Sequence, residues 1–154
     1  MEGGLQKPTR FDIDWKNADY LNEELFEKEL RRVADACHGC RRCVSLCNSF
    51  PTLFDLIDES KTFEVDGVSY NQFSDVIDHC YLCDLCFLTK CPYVPPHEWE
   101  IYFPHLMLRG KAIKFHKSKT SFRDKILTST DLLGKLASRK IIAPIINFFN
   151  SVKF

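Results

Sequence analysis

The sequence predicts a mostly α-helical domain with a small β-hairpin insertion, and three observations predict it. Apolar residues recur at three- and four-residue spacing ahead of two cysteine-rich runs, which is the period of an amphipathic helix. The runs are Cys37-His-Gly-Cys40-Arg-Arg-Cys43-Val-Ser-Leu-Cys47 and Cys80-Tyr-Leu-Cys83-Asp-Leu-Cys86-Phe-Leu-Thr-Lys-Cys91-Pro92, and they use all eight cysteines of the chain. A hairpin pattern stands between them at residues 63–70, with Asp66-Gly67 at its turn.

Residues 1–18 read as an N-terminal arm. Within it Phe11, Ile13 and Trp15 alternate with Asp12 and Asp14, the period of a short extended segment that lies along the domain or a partner. Residues 19–36 turn helical through Leu21, Leu25, Leu30 and Val33. Acidic residues come early and Arg31 and Arg32 late, which complements the helix dipole. After Cys47, residues 52–57 read as a short helix opened by Pro51, and the hairpin follows. Helical spacing resumes over 71–79 through Phe73, Val76 and Ile77 and leads into the second run. The chain therefore repeats roughly: helix, cysteine triplet, fourth cysteine, proline.

Residues 92–96 hold too many prolines to begin a helix, whereas 99–114 predict one, with Pro104 as a break or first-turn residue. Trp99, Tyr102 and Phe103 read as packing. His97 and His105 read as ordinary polar residues rather than ligands, because no second ligand pair frames them. The domain spans 19–115, and 116–154 form a basic amphipathic tail. Its apolar set is Ile126, Leu127, Leu132, Leu133, Leu136, Ile141 and Ile142.

At 154 residues the chain is one domain with extensions, and 13 phenylalanines within 45 % hydrophobic content supply a core. A net charge of zero hides a division. Residues 1–108 carry 10 Lys/Arg against 19 Asp/Glu, and residues 109–154 carry 11 against 2. The tail is expected to meet something anionic (a membrane surface, an acidic partner, or the chain's own body), the alternative being a charge run that is only solvated. Nucleic acid is not an expected partner, since no recognised binding motif accompanies the charge. No window reaches the roughly 18 apolar residues of a spanning helix. Residues 1–8 carry no secretory pattern. The expected location is cytoplasmic, at most peripheral on the cytoplasmic membrane, where thiols stay reduced.

The cysteine spacing points to metal chemistry. Three cysteines at i, i+3 and i+6 wrap one short segment around a single inorganic cluster, with a fourth ligand from elsewhere. In paired [4Fe–4S] clusters the fourth cysteine of each run ligates the other cluster. By that crossed rule Cys37, Cys40, Cys43 and Cys91 hold one [4Fe–4S] cluster, and Cys80, Cys83, Cys86 and Cys47 hold the other. Structural zinc prefers two pairs of ligands, which would leave Cys43 and Cys86 as surplus thiolates. A disulfide framework requires an exported context.

Two departures from the usual pattern stand out. Four residues rather than three separate Cys86 from Cys91, and Asn48 follows Cys47 where the second run has Pro92. The 32 residues between Cys47 and Cys80 match the run separation of β-type ferredoxins, but the flanking segments here read as helices. The expected arrangement is an α-helical ferredoxin-like two-cluster domain whose folding is coupled to metal binding.

A family resemblance follows from these residues. The two runs, followed by Cys91-Pro-Tyr-Val-Pro-Pro-His-Glu-Trp99 and then Phe103-Pro-His-Leu-Met-Leu-Arg109, resemble the N-terminal ferredoxin region of a family of iron–sulfur proteins. That family includes the iron–sulfur component of anaerobic glycerol-3-phosphate dehydrogenase and heterodisulfide-reductase-like proteins. The core is also similar to the C-terminal domain of the iron–sulfur component of succinate dehydrogenase. The resemblance covers roughly residues 30–115. It implies an electron-relay subunit with two [4Fe–4S] clusters, working with a dehydrogenase or a Cys-Cys-Gly-domain reductase partner. Longer members continue into Cys-Cys-Gly domains, and this chain contains no Cys-Cys-Gly.

No nucleophile–base pair, glycine-rich phosphate loop or dinucleotide fingerprint is present, so no catalytic residue is expected. Arg41 and Arg42, inside the first run, would raise the potential of a cluster they face; the alternative is that both point to solvent. A zinc-bound interaction module and an iron–sulfur redox sensor are the alternative readings.

Overall fold

The computed structural model describes residues 3–4, 6–117 and 121–151. It is mostly α-helical, and no strand occurs among the described residues. The chain divides into two compact units, Met1–His116 and Lys117–Phe154.

Four helices build the first unit: α1 (Glu23–Cys40), α2 (Ser49–Asp58), α3 (Phe73–Asp78) and α4 (Phe103–His116). The predicted first helix is split. Residues Ala18–Leu21 form a 3-10 turn, and Asn22 then restarts the chain as α1 by accepting from the N–H groups of Glu24 and Leu25. This new start sets the phase of the helix. Phe26, Leu30, Val33 and Ala34 form its buried stripe, while Leu21 and Leu25, expected on that face, are exposed. Arg109 of α4 donates to the carbonyls of Tyr20, Asp19 and Asn22, closing the split.

α2 begins at Ser49, earlier than predicted, because a proline in the first turn loses no intrahelical bond. The buried Ser49 hydroxyl donates to Val76 O at 2.7 Å and fixes α2 on α3. Pro104 likewise sits in the first turn of α4. Gly110 lies where α4 meets α1 and α3: a Cβ there would stand 2.8 Å from Phe26 Cζ and 2.9 Å from Ile77 Cδ1.

The predicted hairpin at 63–70 does not form. Phe63 is left-handed (φ 58°), and two 3-10 turns follow, Val65–Gly67 and Tyr70–Gln72. Two interactions explain this. Val65 and Val68 both bury, a three-residue repeat that a strand cannot present on one face. In addition, the Arg31 guanidinium donates to the carbonyls of both, each at 3.0 Å, engaging acceptors that a ladder would need.

The arm, over residues 3–4 and 6–16, has no regular structure but is fastened along the second run. Gly4 N–H donates to Pro92 O at 2.7 Å, Thr9 N–H donates to Pro95 O at 2.8 Å, and Arg10 pairs with Asp84.

The second unit holds α5 (Phe122–Thr128), α6 (Thr130–Ala137) and α7 (Ile142–Ser151). None of its described residues is buried.

Candidate metal centre

Cys37 and Cys40 extend the apolar stripe of α1, four and seven residues beyond Val33, so the helix itself turns both thiols toward the core. Helix α1 stops at Cys40 because Arg41 adopts the left-handed conformation (φ 51°), with its N–H donating to Cys37 O at 2.8 Å. The reversed chain then returns Cys43 to the same region, and a turn closed by Leu46 N–H on Cys43 O leads to Cys47.

The second run uses the same device. Asp84 follows its second cysteine as Arg41 follows that of the first, and is also left-handed (φ 67°), as is Leu82 (φ 55°). A left-handed non-glycine residue costs roughly 1–2 kcal/mol, so both runs carry local strain in order to reverse sharply. The extra residue before Cys91 is absorbed by a π turn over Cys86–Lys90, in which Cys91 N–H reaches Cys86 O, five residues back, at 2.9 Å.

These turns gather the thiols into two neighbouring groups. Cys37, Cys40, Cys43 and Cys91 line one small, largely apolar cavity with Phe50, Phe54 and Ile101. Burial pushes the Cys37 thiol well up, and the nearby thiols of Cys91, Cys43, Cys86 and Cys40 push it further. Burial is also the first cause of the raised Cys80 and Cys86 thiols. Cys47 and Cys83 add to it at Cys80, and Cys43, Cys80 and Cys47 add to it at Cys86. Cys91 thus shares a cavity with the triplet of the first run, while Cys86 feels Cys43 of that triplet as well as Cys80 and Cys47. An adjoining cavity is lined by Cys37, Cys43, Cys86 and Cys91 together with Phe87 and Phe103. Phe50 stacks on Phe103 at 4.6 Å beside both groups. No disulfide joins any of the eight cysteines.

Donors surround the sulfurs. Burial raises the Cys91 thiol, while the backbone N–H groups of Tyr93 and Val94 and the charge of Arg42 pull the other way. Burial raises the Tyr93 hydroxyl pKa and neighbouring Cys40 raises it further, and the Tyr93 ring packs on Trp99 at 4.8 Å. In the second group the backbone of Leu82 opposes the rise at Cys80 and that of Phe87 opposes it at Cys86.

Both arginines of the first run line the first cavity, but their partners differ: Arg41 pairs with Asp58 at 2.5 Å and covers Phe54, whereas the charge of Arg42 acts on Cys91. Exposure is uniform in the first group, whose four thiols are all half-buried, and uneven in the second, where Cys80 is buried but Cys83 is exposed beside exposed Tyr81, Leu82, Leu85 and Leu88.

His97 and His105 pack against aromatic rings, His97 edge-on to Tyr93 and Trp99, and His105 stacked on Tyr102 at 3.5 Å. Burial lowers the pKa of His105. Among the described residues, no three His, Cys, Asp or Glu side chains converge as ligands of one metal ion would. Sequence reasoning missed the parts played by Tyr93 and Arg10. Tyr93, two residues past Cys91, was within reach of a local argument. Arg10 was not, since it lies 74 positions from Asp84.

No family model matches the chain, and no solved structure matches it. Over 81 residues, 53 % of its length, it is 32 % identical to citrate utilization protein B of Escherichia coli. The chain spans 19 % of that relative's length. Eight thiols brought near one another, one buried, six half-buried and one exposed, fit a metal-binding or iron–sulfur role.

Proposed function

We propose that this chain relays electrons through two [4Fe–4S] clusters, as the non-catalytic subunit of an oxidoreductase complex with an α-helical ferredoxin arrangement. Cys37, Cys40, Cys43 and Cys91 would hold one cluster, and Cys80, Cys83, Cys86 and Cys47 the other. The observation that carries this reading is Cys91 in the cavity lined by Cys37, Cys40 and Cys43, and the influence of Cys47 on Cys80 and Cys86 supports the crossed rule for the other set.

The donor set fits the group. Four thiols lie around a cavity rather than at a point, and a cube offers each thiolate its own iron. A single zinc, with Zn–S near 2.3 Å, would draw four sulfurs to about 3.8 Å of one another. When bound, such clusters supply one-electron transfer at potentials set by charge, hydrogen bonds to sulfur and exposure. The chain's residues have matching tasks. Phe50, Phe87 and Phe103 exclude water beside the thiols, and Tyr93, Val94, Leu82 and Phe87 N–H groups donate toward sulfur. The exposed edge at Cys83 is the point at which a partner would exchange electrons with the second group.

The relative's name points to citrate utilization, but the matched residues are a small part of it, and we assign them no step on citrate. The reading is tested on anaerobically purified protein by iron, zinc and acid-labile sulfide per chain, with EPR before and after dithionite. About eight iron and eight sulfide with interacting signals on reduction are expected. Zinc without sulfide would sink the reading and leave an interaction module.

A further inference from the structure

Residues 121–151 form helices, yet none of these residues is buried. Phe122 and Ile141 are 78 % and 79 % exposed, and Leu127, Leu132, Ile145, Phe148 and Phe149 are each more than half exposed. Side chains of this size, in this number, do not remain in water unless a partner phase covers them. Within each helix they recur at helical spacing: 122 and 126; 132, 133 and 136; 142, 145, 146 and 149.

The charges name the phase. Arg123, Lys125, Lys135, Arg139 and Lys140 are interleaved with these residues, and only Asp124 and Asp131 oppose them over 121–151. Among the described residues no helix is long and apolar enough to cross a bilayer. At 1.5 Å per residue, the 10 residues of α7 reach only about half of a 30 Å hydrocarbon core. Short helices of this kind lie in the plane of the surface, with apolar side chains below the headgroups and Lys/Arg level with them. A protein groove would be matched by one continuous stripe. Here the face is broken at Ser129 and again between Ala137 and Ile142, which suits a fluid surface.

We infer that this unit is an in-plane anchor for an anionic lipid bilayer. The test is flotation of the full chain with phosphatidylcholine vesicles and with vesicles containing roughly one-quarter phosphatidylglycerol. The chain should float with the anionic vesicles at least about tenfold better than with the neutral ones. Binding should weaken at 1 M salt, where the Debye length falls to about 3 Å. R139E/K140E should lower anionic binding by about tenfold or more, and F148S/F149S should lower it at both salt concentrations.

Both variants change exposed residues outside the cysteine-bearing unit. Unchanged iron content and circular dichroism therefore separate loss of anchoring from loss of fold, and the test does not depend on the clusters being redox-active. Equal binding to both vesicle types, or none to either, overturns the inference. So does a stable dimer of the full chain that F148S/F149S dissolves, since a second copy would then be what covers the face.

Discussion

After the second cysteine of the first run stands Arg41, and after the second cysteine of the second stands Asp84. Both are left-handed, and both are held by an ion pair from outside the run, Arg41 by Asp58 and Asp84 by Arg10. The same backbone solution therefore carries opposite charge at matching positions. The surroundings diverge as well. The first group is enclosed by α1, α2 and the Tyr93–Trp99 aromatics, with Arg42 against Cys91. The second opens at Cys83 onto an apolar rim of Tyr81, Leu82, Leu85 and Leu88. The comparison teaches a division of labour: the repeated turn gathers thiols, and the non-repeated neighbours decide how charged and how accessible each group is.

The sharpest way to break this comparison is to remove the fourth cysteine of each run in turn. Because Cys91 sits with the first triplet, Cys91→Ser should lose the first group's iron, about four of eight, and leave the signal of the second. Cys47→Ser should do the reverse. Iron and sulfide analysis with EPR reads both. If each serine instead silenced the group of its own run, the crossed partition would be wrong.

A smaller effect is expected where the two runs share support. Helix α1 carries the first run, α3 leads into the second, and Gly110 of α4 meets Phe26 of one and Ile77 of the other. Gly110→Ala should cost about 1–3 kcal/mol by overpacking, read from the denaturant midpoint of the anaerobic protein. It should weaken both groups together. An unchanged midpoint would mean that the junction yields at no cost, and that the runs are not braced by a common core.

How much of this is legible in the sequence depends on distance along the chain. The helical segments before each run, the first-turn role open to Pro104, and the existence of two thiol groups all rest on spacings of three or four residues. Those spacings are local and survive folding. The phase of α1 is not legible, because Leu21 and Leu25 fit the period while the cap at Asn22 that resets it is a single polar side chain. The hairpin pattern misleads because Asp66-Gly67 is a good turn in isolation, and the competing interaction comes from Arg31, more than thirty residues away. The spare residue before Cys91 is visible as a departure, but its absorption in a π turn follows only from where Cys91 must go. Arg10 on Asp84 has no sequence signal at all.

The finest discrimination lies between the two arginines of the first run, which the sequence presents as equivalent neighbours. Both are exposed, but Arg41 is engaged by Asp58, so its charge is largely cancelled at the thiols. Arg42 faces Cys91 and Tyr93, where it favours added negative charge on sulfur. Arg42→Gln should therefore lower the potential of the first group by roughly tens of millivolts, 59 mV being a tenfold change for one electron. Arg41→Gln should move it less, and neither should move the second group. Spectroscopic redox titration of both variants separates these outcomes. Equal shifts from the two arginines would mean that the Asp58 pair does not screen Arg41. A shift at the second group would mean that the two sites do not feel separate neighbourhoods, and the difference drawn between the runs would then reduce to exposure at Cys83.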